Sequence, residues 1–144
     1  MVDFVKLANR DDLPELLRMG QEFTTALERS FDQDSATETL ENLMDDDNGF
    51  LIITEGGMLG GVVYPSFLDK SVLIAQELFW WVDESVRGNG AGDAMLALFE
   101  AWGHRKDAKQ VIMVAMHKLA PEKVGKLYQN KGYGPFEYSY VKDL

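Results

Sequence analysis

Apolar positions along this chain switch between two spacings, and the switches mark the elements. Leu13, Leu16, Leu17, Gly20, Phe23 and Leu27 recur every three or four residues, which predicts a helix with one face on a core. Asp11 or Asp12 stands where its cap belongs, and Pro14 falls in its first turn. Ahead of it Phe4-Val5-Lys6-Leu7 reads as a short strand; beyond it the period fades over Glu22 to Asp34. A second helix is expected over Ser35 to Met44, stopped by Asp45-Asp46-Asp47-Asn48-Gly49. Phe50 to Thr54 and Leu59 to Tyr64 are apolar runs around Glu55-Gly56-Gly57-Met58, the pattern of a hairpin. Val72 to Val82 predicts a long strand, and Gln110 to His117 another suited to a sheet buried on both faces. Between them Ala94, Met95, Leu98, Phe99 and Trp102 share a helical face. Pro121 starts a helix through Lys131, and Phe136 to Val141 alternates as a last strand. No repeat, low-complexity tract or linker interrupts this order, so one domain over residues 1–144 is expected.

Charge divides the chain. Residues 1–72 hold 5 Lys/Arg against 15 Asp/Glu, whereas residues 73–144 hold 9 of each, so the whole net charge of −10 lies in the first half. Such a surface repels nucleic acid and anionic lipid, and it suits a cationic ligand, although acids in these numbers also serve solubility alone. With no cysteine, disulfides, thiolate metal sites and a cysteine nucleophile are excluded. Two histidines, His104 and His117, are too few for a usual zinc site, and no metal is expected. The N-terminal MVDFVKLANRDD lacks a basic region before an apolar core, and no apolar run reaches the roughly 18 residues of a membrane span. A cytoplasmic protein is the expectation.

The chemistry concentrates in Glu77 to Trp102, an apolar strand, a glycine-rich loop and an amphipathic helix in succession. That order turns backbone N–H groups at a helix start toward solvent, a site for phosphate. A backbone that wraps a pyrophosphate must bend sharply and approach closer than a Cβ allows, and Gly88, Gly90 and Gly92 remove the obstacle. Asp93 falls in the first turn, where the helix dipole favours a carboxylate. No Gly-Lys-Ser/Thr follows, so this is not a P-loop, and Asp93 occupies the last glycine of the dinucleotide pattern. A loop that merely turns a strand into a helix is the plain alternative.

Arg87-Gly88-Asn89-Gly90-Ala91-Gly92 fits the pattern Arg/Gln-x-x-Gly-x-Gly/Ala and resembles the loop by which GCN5-related N-acetyltransferases (GNAT) hold the pyrophosphate of acetyl-coenzyme A. The order of elements is similar to that family's over essentially the whole chain. Tyr128-Gln129-Asn130-Lys131-Gly132-Tyr133 adds a second point, resembling its Tyr-x-x-x-Gly-Phe/Tyr. The resemblance implies an α/β (α+β) fold: a central mixed, mostly antiparallel sheet with splayed central strands, flanked by about four helices. It also implies acetyl-coenzyme A as co-substrate, held by Arg87 to Asp93 and by backbone N–H groups of Trp80, Trp81 and Val82 where the fourth and fifth strands part. Many relatives carry an Asn at the start of the fourth helix; here Leu119-Ala120-Pro121-Glu122 stands there, so contact must come from backbone or Lys123.

Transfer to an amine by direct attack asks for three things: a neutral amine, a donor to the oxyanion, and a proton for the leaving thiolate. The resemblance sets Tyr128 beside the coenzyme sulfur, and a phenol with a pKa near ~10 can supply that proton. Glu77 shares a face with Phe79 and Trp81 if no bulge interrupts the alternation, and a carboxylate among aromatics is a candidate base. His117 is the second candidate, its imidazole titrating near neutral pH. A satisfied strand-end carboxylate and a solvent-facing histidine are the structural alternatives. Trp80 and Trp81 point to opposite faces, as core packing or with one lining an acceptor pocket.

Acceptor recognition is expected from Glu28, Phe31, Asp32, Asp34 and Tyr64, acid with aromatic suiting a cationic amine. A polyamine-like or aminoglycoside-like molecule and a protein amine fit equally. The resemblance further implies a homodimer paired through sheet edges or the C-terminal strand. A coenzyme-binding sensor without turnover and a plain interaction domain are the competing classes.

Overall fold

In the computed structural model, which describes residues 5–144, strand β1 (Val5–Leu7) leads through a 3-10 turn into helix α1 (Leu13–Ala26). Phe4, expected in that strand, lies outside the described residues. Asn9 Oδ1 accepts the Asp11 N–H while the Asp12 carboxylate accepts the Asn9 N–H, both at 2.9 Å, a reciprocal cap. Helix α2 (Gln33–Asp45) starts ahead of the expected Ser35 because Asp32 is its cap: Oδ2 accepts the Ser35 N–H at 2.9 Å and its hydroxyl at 2.7 Å. Then follow β2 (Gly49–Thr54), β3 (Gly57–Pro65), β4 (Leu73–Val82), α3 (Ala91–Arg105) and β5 (Gln110–Ile112).

The strands lie in the order β1-β2-β3-β4-β5, antiparallel except for the parallel pair β4–β5, the mixed sheet that was expected. One face carries α3, whose Met95, Phe99 and Trp102 pack with Phe50, Ile52, Leu59, Val63 and Ala75. Full burial of side chains such as Met95, Leu96 and Phe99 contributes on the order of 2 kcal/mol each. Phe50 stacks on Trp102 at 4.9 Å and meets Phe99 at 5.8 Å. Leu98, expected on this face, is exposed, and Leu96 is buried instead, because the stripe through Ala91, Met95, Phe99 and Trp102 leans toward its other flank. The opposite face meets α1, where Phe23 lies 5.8 Å from Trp81.

A bulge divides β4. Gly60 pairs with Phe79 and Gly61 with Glu77, so Leu78 is the extra residue. Before it Leu73 and Ala75 face α3; after it Trp80 and Val82 do. Gly60-Gly61 is where rings from both faces press on β3: a Cβ on Gly60 would collide with the Phe79 ring, and one on Gly61 with Phe99 and, at 2.8 Å, the Gln76 carbonyl.

The strand expected over Gln110 to His117 ends at Ile112, since pairing with β4 stops at Gln76–Ile112. Beyond that point the Val114 N–H goes to a side chain, Glu77 Oε1 at 3.2 Å, rather than into the ladder. The described chain forms two units, one running to Val114 and the other Ala115–Leu144. The second holds α4 (Pro121–Asn130), ending one residue before the expected Lys131. Phe136 to Val141 is not a strand: Phe136, Tyr138, Tyr140 and Val141 are exposed, and alternation without a paired edge makes no ladder. No helix among the described residues is long and apolar enough to cross a membrane.

Candidate functional site

Two features converge on β4: the fork where β5 leaves it, and the loop that follows its end. Past Gln76 the stretch Glu77 to Val82 has left its β5 partner behind, so its pairing in the sheet is with β3. Glu77 sits where the two strands part. It is 5% exposed, and burial pushes its carboxyl up to about 7 against the opposing hydrogen bond from Val114 N–H. The bulge corrects its expected neighbours: paired with Gly61, Glu77 faces α3 with Ala75 and Trp80, whereas Phe79 and Trp81 face the other way. A carboxylate titrating near neutrality can hold or release a proton at physiological pH, which is what a general base requires.

The loop has the geometry its glycines suggested. Gly88 and Gly90 take left-handed φ of 87° and 92°, the latter as the cap of α3. Asn89 Oδ1 accepts the Ala91 N–H at 2.9 Å, and α3 runs from there with Asp93 in its first turn. A Cβ on Gly88 would meet nothing within 4 Å, so the loop is open on that side. A Cβ on Gly92 would stand 3.2 Å from Trp80 Cζ2, so this β4 indole lies against the helix start. Open backbone at a helix N-terminus suits a pyrophosphate, and strand backbone beyond the reach of β5 suits the amides of an extended pantetheine arm. The residues present fit coenzyme A.

Arg87 is engaged with the strand: its Nε donates to the Val82 carbonyl at 2.9 Å and its guanidinium lies 5.2 Å from the Trp81 ring. Trp81 is buried between Arg87 and Phe23, so of the two indoles Trp80 flanks the loop and Trp81 joins the α1 side. No sequence motif singles out Asp83. Burial pushes its carboxyl up, but hydrogen bonds from Arg18 and Trp81 outweigh this and hold it below the usual range. Trp81, two residues earlier, is a local signal for it; Arg18, 65 positions away, leaves none.

Of the acceptor candidates, Tyr64 donates its hydroxyl to Gln76 Oε1 on the sheet face away from α3. Phe31 packs back on α1, its Cε1 3.5 Å from where a Gly20 Cβ would be. Asp32 is occupied as the α2 cap and Asp34 is exposed. Glu28 ends α1 with φ of 57°, its N–H donating to the Thr25 carbonyl at 3.1 Å. In the second unit His117 is exposed in a turn, not at a strand end, because β5 has stopped well before it. Tyr128 is buried on α4, 5.6 Å from the Tyr133 ring, and its carbonyl accepts the Lys131 and Tyr133 N–H groups.

Residues 16–134 match the model of a family described as the acetyltransferase (GNAT) family. No protein of curated function matches the chain in sequence. Among solved structures, a transcriptional regulator from Bacillus halodurans C-125 superposes with TM-score 0.80 at 15% identity, covering 98% of this chain and 99% of that one. A ribosomal-protein-alanine N-acetyltransferase from Brucella melitensis biovar Abortus 2308 gives 0.71 at 18% identity, over 98% of both chains. AAC(6')-Iy, in complex with the bisubstrate analogue CoA-S-monomethyl-acetylneamine, gives 0.76 at 15% identity, over 98% and 97%. At these identities the likeness is one of fold.

Proposed function

The chain belongs to the acetyltransferase (GNAT) family, and from that premise we propose that it moves an acetyl group from acetyl-coenzyme A to a primary amine by direct attack within a ternary complex. The observation that carries this reading is the glycine loop: left-handed Gly88 and Gly90 at the start of α3, open on the Gly88 side. Backbone from Gly88 to Asp93 would hold the pyrophosphate, with Arg87 keeping the strand end in place, and backbone N–H groups over Trp80, Trp81 and Val82, beyond the reach of β5, would hold the pantetheine arm. Bound there, the coenzyme supplies an activated thioester. A coenzyme A analogue in one relative of this fold supports the assignment.

Glu77 is the proposed base, taking the ammonium proton directly or through water, and His117 is the second candidate. Tyr128 is the proposed acid, its phenol donating to the departing sulfur. The acceptor is a cationic amine drawn to the acidic first half, met by Glu28, Phe31 and Tyr64 and by Asp34. A small polyamine-like or aminoglycoside-like molecule is the first class to screen, and a protein amine the second. One domain over residues 1–144, cytoplasmic and paired as a homodimer, completes the reading.

Thermal unfolding with acetyl-coenzyme A and with coenzyme A tests the first step, because a ligand of the native state must raise apparent stability. A saturable rise followed by thiol release with cationic amines is expected. No rise with either ligand, repeated by calorimetry, would remove the enzyme reading. A second reading has one observation of its own: Glu77 spends a lone pair on Val114 N–H, as a purely structural carboxylate would, which favours a coenzyme-binding sensor without turnover. Binding without thiol release across the amine screen is its signature.

A further inference from the structure

One carboxylate with no part in the proposed chemistry stands where three elements meet. Asp83, just past β4, accepts the Trp81 Nε1–H with Oδ1 at 2.8 Å and an Arg18 guanidinium N–H with Oδ2 at 2.7 Å. Its own N–H donates to the Gly56 carbonyl in the β2–β3 hairpin at 2.6 Å, and its carbonyl accepts the Val86 N–H at 3.0 Å. That last bond closes the 3-10 turn Glu84–Val86, which delivers the chain to Arg87. The hairpin leaves no slack: at Gly56, φ 70°, a Cβ would stand 2.8 Å from Val86 Cγ2 and 3.1 Å from Asp83 Oδ2. Arg18 is itself held by Glu15 at 2.6 Å and Glu22 at 2.9 Å, both on α1.

The loop thus has a fixed stem and an open tip. The stem is tied to α1 through Asp83, to the hairpin through Gly56 and to β4 through Arg87 over Trp81, whereas nothing surrounds the Cβ position of Gly88. Backbone donors bind an anion well when their arrangement is set before the anion arrives, since ordering on binding subtracts from affinity. We propose that Arg18 and Asp83 are positioning residues for the coenzyme, their ion pair anchoring the stem so that Arg87 to Gly92 is preshaped for the pyrophosphate. This rests on the coenzyme reading above. Arg18 acts wholly through Asp83, from an element that the loop does not touch in sequence.

The test compares Arg18→Met, Arg18→Lys and Arg10→Met. Arg10 makes more exposed ion pairs with Glu41 at 3.0 Å and Asp45 at 2.7 Å, both on α2. Coenzyme A binding by calorimetry is expected to weaken roughly fivefold in Arg18→Met, the scale of a partly exposed ion pair, to recover largely in Arg18→Lys, and to be unchanged in Arg10→Met. Turnover at saturating coenzyme should stay near that of the unaltered protein. In the ligand-free protein, amide hydrogen exchange at residues 84–90 should quicken in Arg18→Met alone. Equal affinity in all four proteins, or equal weakening in Arg10→Met, overturns the proposal. If the unaltered protein binds no coenzyme A, the coenzyme reading falls by itself, and unchanged exchange at 84–90 then overturns the anchored stem separately.

Discussion

Glu77 makes pH act in opposite directions on activity and stability. As a base it must be ionised, so turnover should climb as pH rises through about 7. Its folded-state pKa lies above the ordinary 4.5, so the native state holds a proton that the unfolded chain releases. The stability this brings is fully present below about 4.5 and is lost as pH rises through about 7, a span of up to roughly 3 kcal/mol. Glu77→Gln removes the ionisation and keeps an oxygen for Val114 N–H. We expect its turnover to fall about 100-fold, while its melting temperature exceeds that of the unaltered protein at pH 8 and matches it at pH 4; equal melting curves at pH 8 would refute the buried charge. Tyr128→Phe should likewise slow turnover with little change in coenzyme affinity, and an unchanged rate would remove Tyr128 as the acid. Glu28 presents a different trade. An L-residue at φ 57° costs about 1 kcal/mol, so Glu28→Gly should raise stability by about that amount. If Glu28 meets the acceptor, the same change raises the amine KM, and a KM left untouched would return Glu28 to a plain helix end.

Elements answer to tighter constraints. Gly61→Ala would drive a methyl into the Phe99 ring and the Gln76 carbonyl, and backbone cannot yield as a side chain tip can. We expect a loss of about 1–3 kcal/mol by denaturant unfolding, with unfolding no worse than that of an exposed-strand alanine change refuting the packing. Gly88→Ala faces open space, so its cost is that of a left-handed residue, and the main expected change is in coenzyme affinity. Helices α1 and α2, the hairpin and α3 were legible because their apolar spacing is set by the face each buries. The glycine loop was legible because few other residues take φ near 90°. The bulge was not: Leu78-Phe79-Trp80-Trp81-Val82 is apolar throughout, so no polar residue marks a change of side. With it went the neighbours of Glu77. β5 is shorter than its apolar run because Val111 to Val114 stays apolar after pairing ends, and Phe136 to Val141 alternates without being a strand because alternation describes a strand's faces and not its partner. Asp83 and Arg18 went unseen because an ion pair between distant positions has no local pattern.

Across the whole molecule the charge is lopsided, −10 net and all of it within residues 1–72. A cationic acceptor should therefore feel long-range attraction that salt weakens, and its KM should rise severalfold between low and physiological ionic strength. An uncharged amine analogue should show no such rise; equal salt dependence for both would dismiss electrostatic capture. Leu78 reaches just as far through a single residue. A strand keeps its two sides by counting in twos, and this one drops a beat in the middle. Drawing Leu78 into the ladder would turn Phe79 and Trp81 toward α3 while sending Trp80 and Val82 toward α1, exchanging the linings of both faces of the sheet beyond Gly61, whereas deleting it would leave Phe79 opposite Gly60 and every face as it is. What lines each side of the molecule's sheet past Gly61 therefore depends on one residue staying outside the count.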